Sequence, residues 1–263
     1  MDSMEYLKDL FSLEGKVAVV VGGSGVLGGE MAQALSRAGA ALAICYSSNR
    51  DGAEERKSLI EKEGGKAVIC QADVRDESSL ERAMNQVVEQ LGRIDILVNA
   101  PGVNSTTPIM EIEEEEWSRI MDINLRGTFW ASRLAARQMI GQGDGGSIIN
   151  ISSASSNIPL SKVFTYSISK AGMNNMTRFM SREWADHNIR VNAILPGFFP
   201  AEQNRKILTE ERRKSIFGHT PMGRYGEAEE LSGSVIWLAS GNASSFVTGS
   251  VVTVDGGFTA MTI

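Results

Sequence analysis

The sequence has little cysteine and no excess of basic residues. Its 263 residues carry 26 Lys and Arg against 32 Asp and Glu, a formal charge of −6. That balance offers no cationic footprint for nucleic acid or an anionic membrane. The two cysteines, Cys45 and Cys70, lie inside apolar strand-like runs without metal-ligand spacing, so they read as reduced core residues. No apolar run is long enough to span a membrane. The segment Met1 to Ser12 carries Asp2, Glu5 and Asp9 where a leader would have a basic and then an apolar region. These absences point to a cytoplasmic protein without membrane or nucleic-acid partners. Repeats, low-complexity tracts and interdomain linkers are also missing. We therefore expect a single domain over 1–263, with 1–12 as an N-terminal extension.

What is present centres on Tyr166-Ser167-Ile168-Ser169-Lys170. On a helix, Tyr166 and Lys170 stand four residues apart on one face. Ile168, Met176, Phe179, Met180 and Trp184 recur near helical spacing and support that reading. A free phenol titrates near ~10, so a phenolate at neutral pH needs a shift of about three units, or ~4 kcal/mol. An adjacent ammonium in a partly dry site is expected to supply much of it. Ser153 ends a buried strand thirteen residues before Tyr166. A hydroxyl there, facing Tyr and Lys, can hold a carbonyl and hand it a proton.

The rest of the chain alternates. Lys16 to Val21 is an apolar, valine-rich run expected to be a strand buried on both faces. Gly22-Gly23-Ser24-Gly25-Val26-Leu27-Gly28-Gly29 follows it, then a helical pattern from about Glu30 to Ala38. Strand, glycine turn and helix are what a phosphate-cradling loop requires. Further strands are expected at Ala41 to Tyr46, Lys66 to Cys70, Ile94 to Val98, Ser147 to Ile151, Ile189 to Leu195 and Val251 to Val254. Helices fall between them, at Asp51 to Gly64, Glu77 to Leu91, Glu113 to Arg137 (broken near Gly127) and Phe164 to His187. Such alternation predicts an α/β, Rossmann-like, doubly wound parallel sheet of about seven strands with helices on both faces. Ligands of such sheets bind at the carboxyl ends of the strands, where the motifs fall.

These residues resemble the short-chain dehydrogenases/reductases from Leu13 to the C-terminus. The resemblance implies a catalytic tetrad of Asn124, Ser153, Tyr166 and Lys170. Tyr166 would be the general acid/base, and Ser153 would polarise the reacting oxygen. Lys170 would bind the nicotinamide ribose and lower the tyrosine pKa, and Asn124 would hold a water in a proton relay. It also implies cofactor contacts from Gly22, Ser24, Gly25, Val26, Leu27 and Gly28, from Asp73 and Val74 near the adenine, from Asn99, Ala100 and Gly102, and from Pro196 and Gly197. Three positions depart from the family pattern. Val26 replaces the middle glycine of the turn, Pro101 removes a backbone donor, and Ala201 stands where a threonine often bonds the nicotinamide amide, with Gln203 or Asn204 as substitutes.

Cofactor choice rests on the end of the second strand, where an acid would bond both ribose hydroxyls for NAD. Here the segment is Tyr46, Ser47, Ser48, Asn49 and Arg50, without a carboxylate. Arg50 or the serines suit a 2′-phosphate, so NADP is favoured over NAD. The expected substrate loop spans 198–224. Asn204 and Arg205 are its candidate substrate contacts, and His219 reads as an exposed loop residue. In overall look the chain is similar to the branch of D-mannonate oxidoreductases and gluconate 5-dehydrogenases. This implies hydride transfer between a nicotinamide and a keto or hydroxy sugar acid or polyol. A 3-oxoacyl-thioester reductase is the alternative, and a non-catalytic dinucleotide-binding regulator is an alternative of another class. The family implies a homodimer or homotetramer, and the apolar end, Phe258 to Ile263, is consistent with burial against a neighbouring subunit.

Overall fold

β1 (Val17–Val21) is buried along its whole length. Its side chains alternate between two cores. Ala18 and Val20 enter one and Val17, Val19 and Val21 the other, which is why the run has no polar face. The structure is a computed structural model that describes residues 2–200 and 209–261. Around β1 the sheet adds β2 (Ala41–Tyr46), β3 (Ala67–Gln71), β4 (Ile96–Asn99), β5 (Gly146–Ile151), β6 (Ile189–Pro196) and β7 (Val251–Val254). Its seven strands run in the order β3-β2-β1-β4-β5-β6-β7, and each neighbouring pair is parallel.

Helices cover both faces. α2 (Val26–Arg37) and α3 (Arg50–Lys62) bury Met31, Leu35, Ala53 and Ile60 on one side, with Val235 and Leu238 from a late helix at Ser232–Ala239. α4 (Glu77–Leu91) and α6 (Gly127–Gln142) supply Leu80, Val87, Leu134 and Met139 on the other, joined by Met180 of α7 (Phe164–Trp184). The doubly wound expectation is met, and each expected strand is found to within about two residues.

Several boundaries differ. Residues 3–11, expected only as an extension, form α1 (Ser3–Phe11), capped by Asp2 Oδ1 accepting from the N–H groups of Met4 at 2.7 Å and Glu5 at 3.0 Å. Its end is held by Ser240 Oγ donating to the Leu10 carbonyl and Asn242 Nδ2 donating to the Asp9 carbonyl. α2 starts at Val26 and not at Glu30 because Gly25, in extended geometry, already serves as the cap. The expected break near Gly127 is a π turn at Asp122–Arg126, between α5 (Glu114–Met121) and α6. Of the apolar end expected from Phe258 to Ile263, Thr262 and Ile263 lie outside the described residues, and Phe258 is seen at its start. It is buried within its own chain, packed in one cluster with Leu195 and Ala154 and edge-on to Phe198.

One polar chain crosses the core. Asn99 Nδ2 donates to Ser132 Oγ and to Asn150 Oδ1, both at 2.9 Å, and Asn150 Nδ2 donates to Thr177 Oγ1 at 2.9 Å. It ties β4, β5, α6 and α7 together. Removing one buried member strands the others. We expect Asn150→Ala to cost roughly 2–4 kcal/mol and to lower Tm by roughly 4–16 °C. Thermal unfolding followed by circular dichroism checks this, and an unchanged Tm would remove the network from the stability of the fold.

Candidate active site

The glycine turn joins β1 to α2 at the point where strand order reverses. Gly22 adopts φ +78°, open to glycine and costly for other residues. The N–H groups of Gly22 and Gly23 both donate to the Cys45 carbonyl at 3.1 Å, so the turn is pinned to β2. A Cβ on Gly28 would overlap the Gly22 carbonyl oxygen, and one on Gly22 would come within 2.9 Å of the Ala100 carbonyl. The turn therefore closes on Gly22 and Gly28. Val26, in the place of the missing glycine, is the first residue of α2 and half-exposed. Pro101 costs no sheet bond, since the ladder ends with the Ala100 N–H donating to the Val21 carbonyl.

A cleft of about 420 Å³ opens beside this turn. Gly22, Gly25, Val26, Leu27 and Gly28 form one wall, Ala100 and Gly102 a second, and Pro196 and Gly197 a third. Ser153, Tyr166 and Lys170 line the same cleft. The expected phosphate turn and the expected reactive triad are thus brought together. Tyr46, Ser47, Ser48, Asn49 and Arg50 stand at the end of β2, and Asp73 and Val74 just after β3, off the cleft but on the same edge of the sheet. Ser24 touches the first group, its carbonyl accepting from Asn49 Nδ2 at 3.5 Å. Asn49 also caps α3, and Arg50, 69% exposed, lies 3.6 Å from Glu54. Asp73 is bonded by the Arg75 guanidinium, which holds its carboxyl below the usual range. Ala201, Gln203, Asn204 and Arg205 lie outside the described residues. His219 is exposed, with its ring edge-on to Phe258.

Two expected site residues point elsewhere. Asn99 is fully buried, and its side chain belongs to the core network and not to the cleft. Asn124 is fully buried too. Its Oδ1 accepts from the Val103 N–H at 2.9 Å, and its Nδ2 donates to the Val103 carbonyl and to Ser169 Oγ, each at 3.0 Å. Both amide hydrogens are thereby engaged, so the side chain clamps the Val103 peptide. The π turn makes this possible by swinging Asn124 inward. Ser155 was not singled out by sequence. Its N–H and hydroxyl both donate to Ser153 Oγ, at 3.3 and 3.1 Å, which turns the Ser153 proton towards Tyr166. The serine cluster at 152–156 was its only signal.

Lys170 is 3% exposed and donates to the Ile151 carbonyl at 2.7 Å. Its Nζ lies 5.7 Å from the centre of the Tyr166 ring. Burial pushes the amine down to about 7. Tyr166 is displaced in the direction opposite to the one expected. Burial raises its pKa, and the hydrogen bond from Ser153 offsets part of the rise. The reason is that the same dry environment disfavours the ammonium that was to stabilise the phenolate.

The linkage has a definite sign. The folded pKa of Lys170, about 7, lies below its unfolded value near 10.5, so the unfolded chain holds more protons between those limits. The lysine's burial penalty is full below pH 7 and is relieved as pH rises through that window. Denaturant unfolding at pH 7 and pH 9 checks this. We expect wild type to gain more stability over that interval than Lys170→Met. Equal gains would show that Lys170 is not desolvated.

The chain is similar to known proteins over nearly its whole length. Residues 24–259 match the family model described as enoyl-(acyl carrier protein) reductase. The chain is 38% identical over 270 residues to the uncharacterized oxidoreductase UxuB of Bacillus subtilis, covering 95% of this chain and 96% of the relative. It is 38% identical over 252 residues to 2-dehydro-3-deoxy-D-gluconate 5-dehydrogenase of Escherichia coli, covering 95% and 98%. Among solved structures, a gluconate 5-dehydrogenase from Burkholderia cenocepacia in complex with NADP and tartrate superposes with a TM-score of 0.92 at 33% identity, covering 97% of this chain and 100% of that one. The chain belongs to the short-chain dehydrogenases/reductases, NAD(P)-dependent oxidoreductases acting on CH–OH and C=O groups.

Proposed function

We propose that this protein interconverts a ketone and a secondary alcohol on a sugar acid or polyol of the gluconate type, with NADP favoured over NAD. The observation that carries the reading is the single cleft shared by the glycine turn and by Ser153, Tyr166 and Lys170. The residues present fit a dinucleotide. Gly22 and Gly28 let the turn close against Ala100 and against itself, and the N-terminus of α2, with no side-chain cap on its N–H groups, lines the cleft through Gly25, Val26 and Leu27. A bound nicotinamide supplies the hydride. The chain's own residues manage the proton. Ser153 holds the reacting oxygen, and Tyr166 gives its hydroxyl proton to that oxygen in reduction and takes it back in oxidation. Lys170 stands where it can neutralise the phenolate.

The substrate class is supported by relatives named for gluconate-type substrates. The NADP preference is supported by the end of β2, where positions 46–50 hold no carboxylate and open α3 at its N-terminus. The second reading is reduction of a 3-oxoacyl thioester; the description of the family model supports the acyl-thioester part of it, although that description names an enoyl group. An absorbance screen at 340 nm with NADH and NADPH in parallel tests both, against fructuronate, tagaturonate, 5-ketogluconate, simple ketoses and acetoacetyl thioesters. We expect turnover with a keto sugar acid, faster with NADPH. Turnover with the thioester alone would replace the first reading by the second. Tyr166→Phe is expected to lose activity by roughly 10²–10⁴-fold with NADPH binding nearly intact, and normal turnover in that variant would sink the mechanism.

We also read the chain as a homodimer or homotetramer. Leu125, Phe129, Met176 and Phe179 line an apolar groove beside α6 and α7, and Phe179 is 66% exposed. Light scattering at micromolar concentration is expected to give a multiple of the chain mass, and a monomer would overturn this reading.

A further inference from the structure

The loop after β4 is neither helix nor strand from Pro101 to Pro108, yet it is held at both ends. At its start, a Cβ on Gly102 would lie 3.7 Å from Lys170 Nζ, so the loop begins directly over the reactive groups. The next residue, Val103, has its N–H and carbonyl clamped by Asn124. Farther on, Ser105 Oγ donates to Glu116 Oε1 at 2.8 Å and Thr107 Oγ1 donates to Glu116 Oε2 at 2.5 Å. Both oxygens of a carboxylate on α5 are therefore committed to this loop. The side chains alternate as in an extended chain. Val103, Ser105 and Thr107 are half-buried, while Gly102, Asn104 and Thr106 are exposed.

Asn104 sits between the two clamps and lines the cleft with Ser153 and Tyr166. Its Oδ1 accepts the Ser105 N–H at 2.7 Å, which fixes which end of the amide is oxygen. The Nδ2 donors are left without a bond among the described residues, on an exposed side chain that lines the cleft. Among the described residues of the cleft wall, Lys170 is the one cation, and it is engaged with Ile151. A polar substrate therefore finds the Asn104 amide as a neutral donor beside the reactive hydroxyls.

We propose that Asn104 recognises the substrate, its side-chain amide donating to a carboxylate or hydroxyl oxygen, and that Glu116 is the positioning residue that holds Asn104 over the cleft. The proposal rests on the sugar-acid reading given above and adds the residue that reads the substrate. A substrate without a second oxygen gains nothing from this amide. A negatively charged residue in its place repels a carboxylate while sparing a neutral ketose.

The test is steady-state kinetics on full-length wild type, Asn104→Ala, Asn104→Asp and Glu116→Gln, with NADPH, 5-ketogluconate and a neutral ketose, alongside NADPH binding. We expect Asn104→Ala to raise KM for the keto acid roughly tenfold and to leave kcat within about threefold. Asn104→Asp should raise it further for the keto acid than for the ketose. Glu116→Gln should raise KM in the same direction by a smaller factor, with NADPH affinity retained. If wild type turns over the keto acid and both Asn104 variants keep KM within twofold, this inference falls and the functional reading stands. Equal losses for both substrates together with lost NADPH binding also overturn it, since that marks a disturbed fold. A wild type inert towards every keto sugar acid and ketose removes the functional reading and this inference with it.

Discussion

The site depends on a topological constraint at the centre of the sheet. The chain starts at β1, builds outward through β2 to β3, then returns to the other side of β1 with β4. Parallel strands need crossovers, and the two directions of winding put those crossovers on opposite faces. A gap is left at the carboxyl ends of β1 and β4. Backbone from both strands must approach closely there, and the close fit of Gly22 against Gly28 and Ala100 is the result. Everything reactive hangs from that gap. β5 carries Ser153 just beyond its end, and α7 returns across the edge with Tyr166 and Lys170.

Electrostatically the cleft is unusual for having little charge. Lys170 is dry, bonded to a backbone carbonyl and shifted towards neutrality. Tyr166 is pushed the other way by the same burial. Neither group is driven to ionise by burial, and a proton passed from the phenol to the neutral amine would create an ion pair in a dry cleft. The serines act differently. Ser155 commits the lone pairs of Ser153, so that the Ser153 hydroxyl is a directed donor. Orientation here comes from neutral hydrogen bonds.

Most of the fold was legible because the two cores are apolar on every strand. Uninterrupted runs such as Val17 to Val21, punctuated by glycine, leave few alternatives. Ser153, Tyr166 and Lys170 were legible for the same kind of reason, since they lie at a strand end and on one helix face. What failed to show was long-range. Asn99 looked like a loop residue beside a ligand, yet its amide is absorbed by partners on α6 and β5, far away in sequence. The clamp of Asn124 on Val103 was not visible in the sequence, because a π turn has no compositional mark. The sign of the Tyr166 shift was missed because burial, which sequence spacing does not reveal, outweighs the hydrogen bond from Ser153. α1 was missed because its face buries little, although Asp2 gave the capping signal.

The π turn at 122–126 also lets one stretch of backbone change direction without disturbing the helix that follows it. It holds one residue more than a regular helix would over the same span. Deleting one residue there would let the segment close as a regular helix, keeping Ala131 and Ala135 of α6 in the core while removing the widened turn that carries Asn124. The placement of Asn124 and the register of α6 are therefore separate settings of the chain, and a length change at this point alters the first and spares the second.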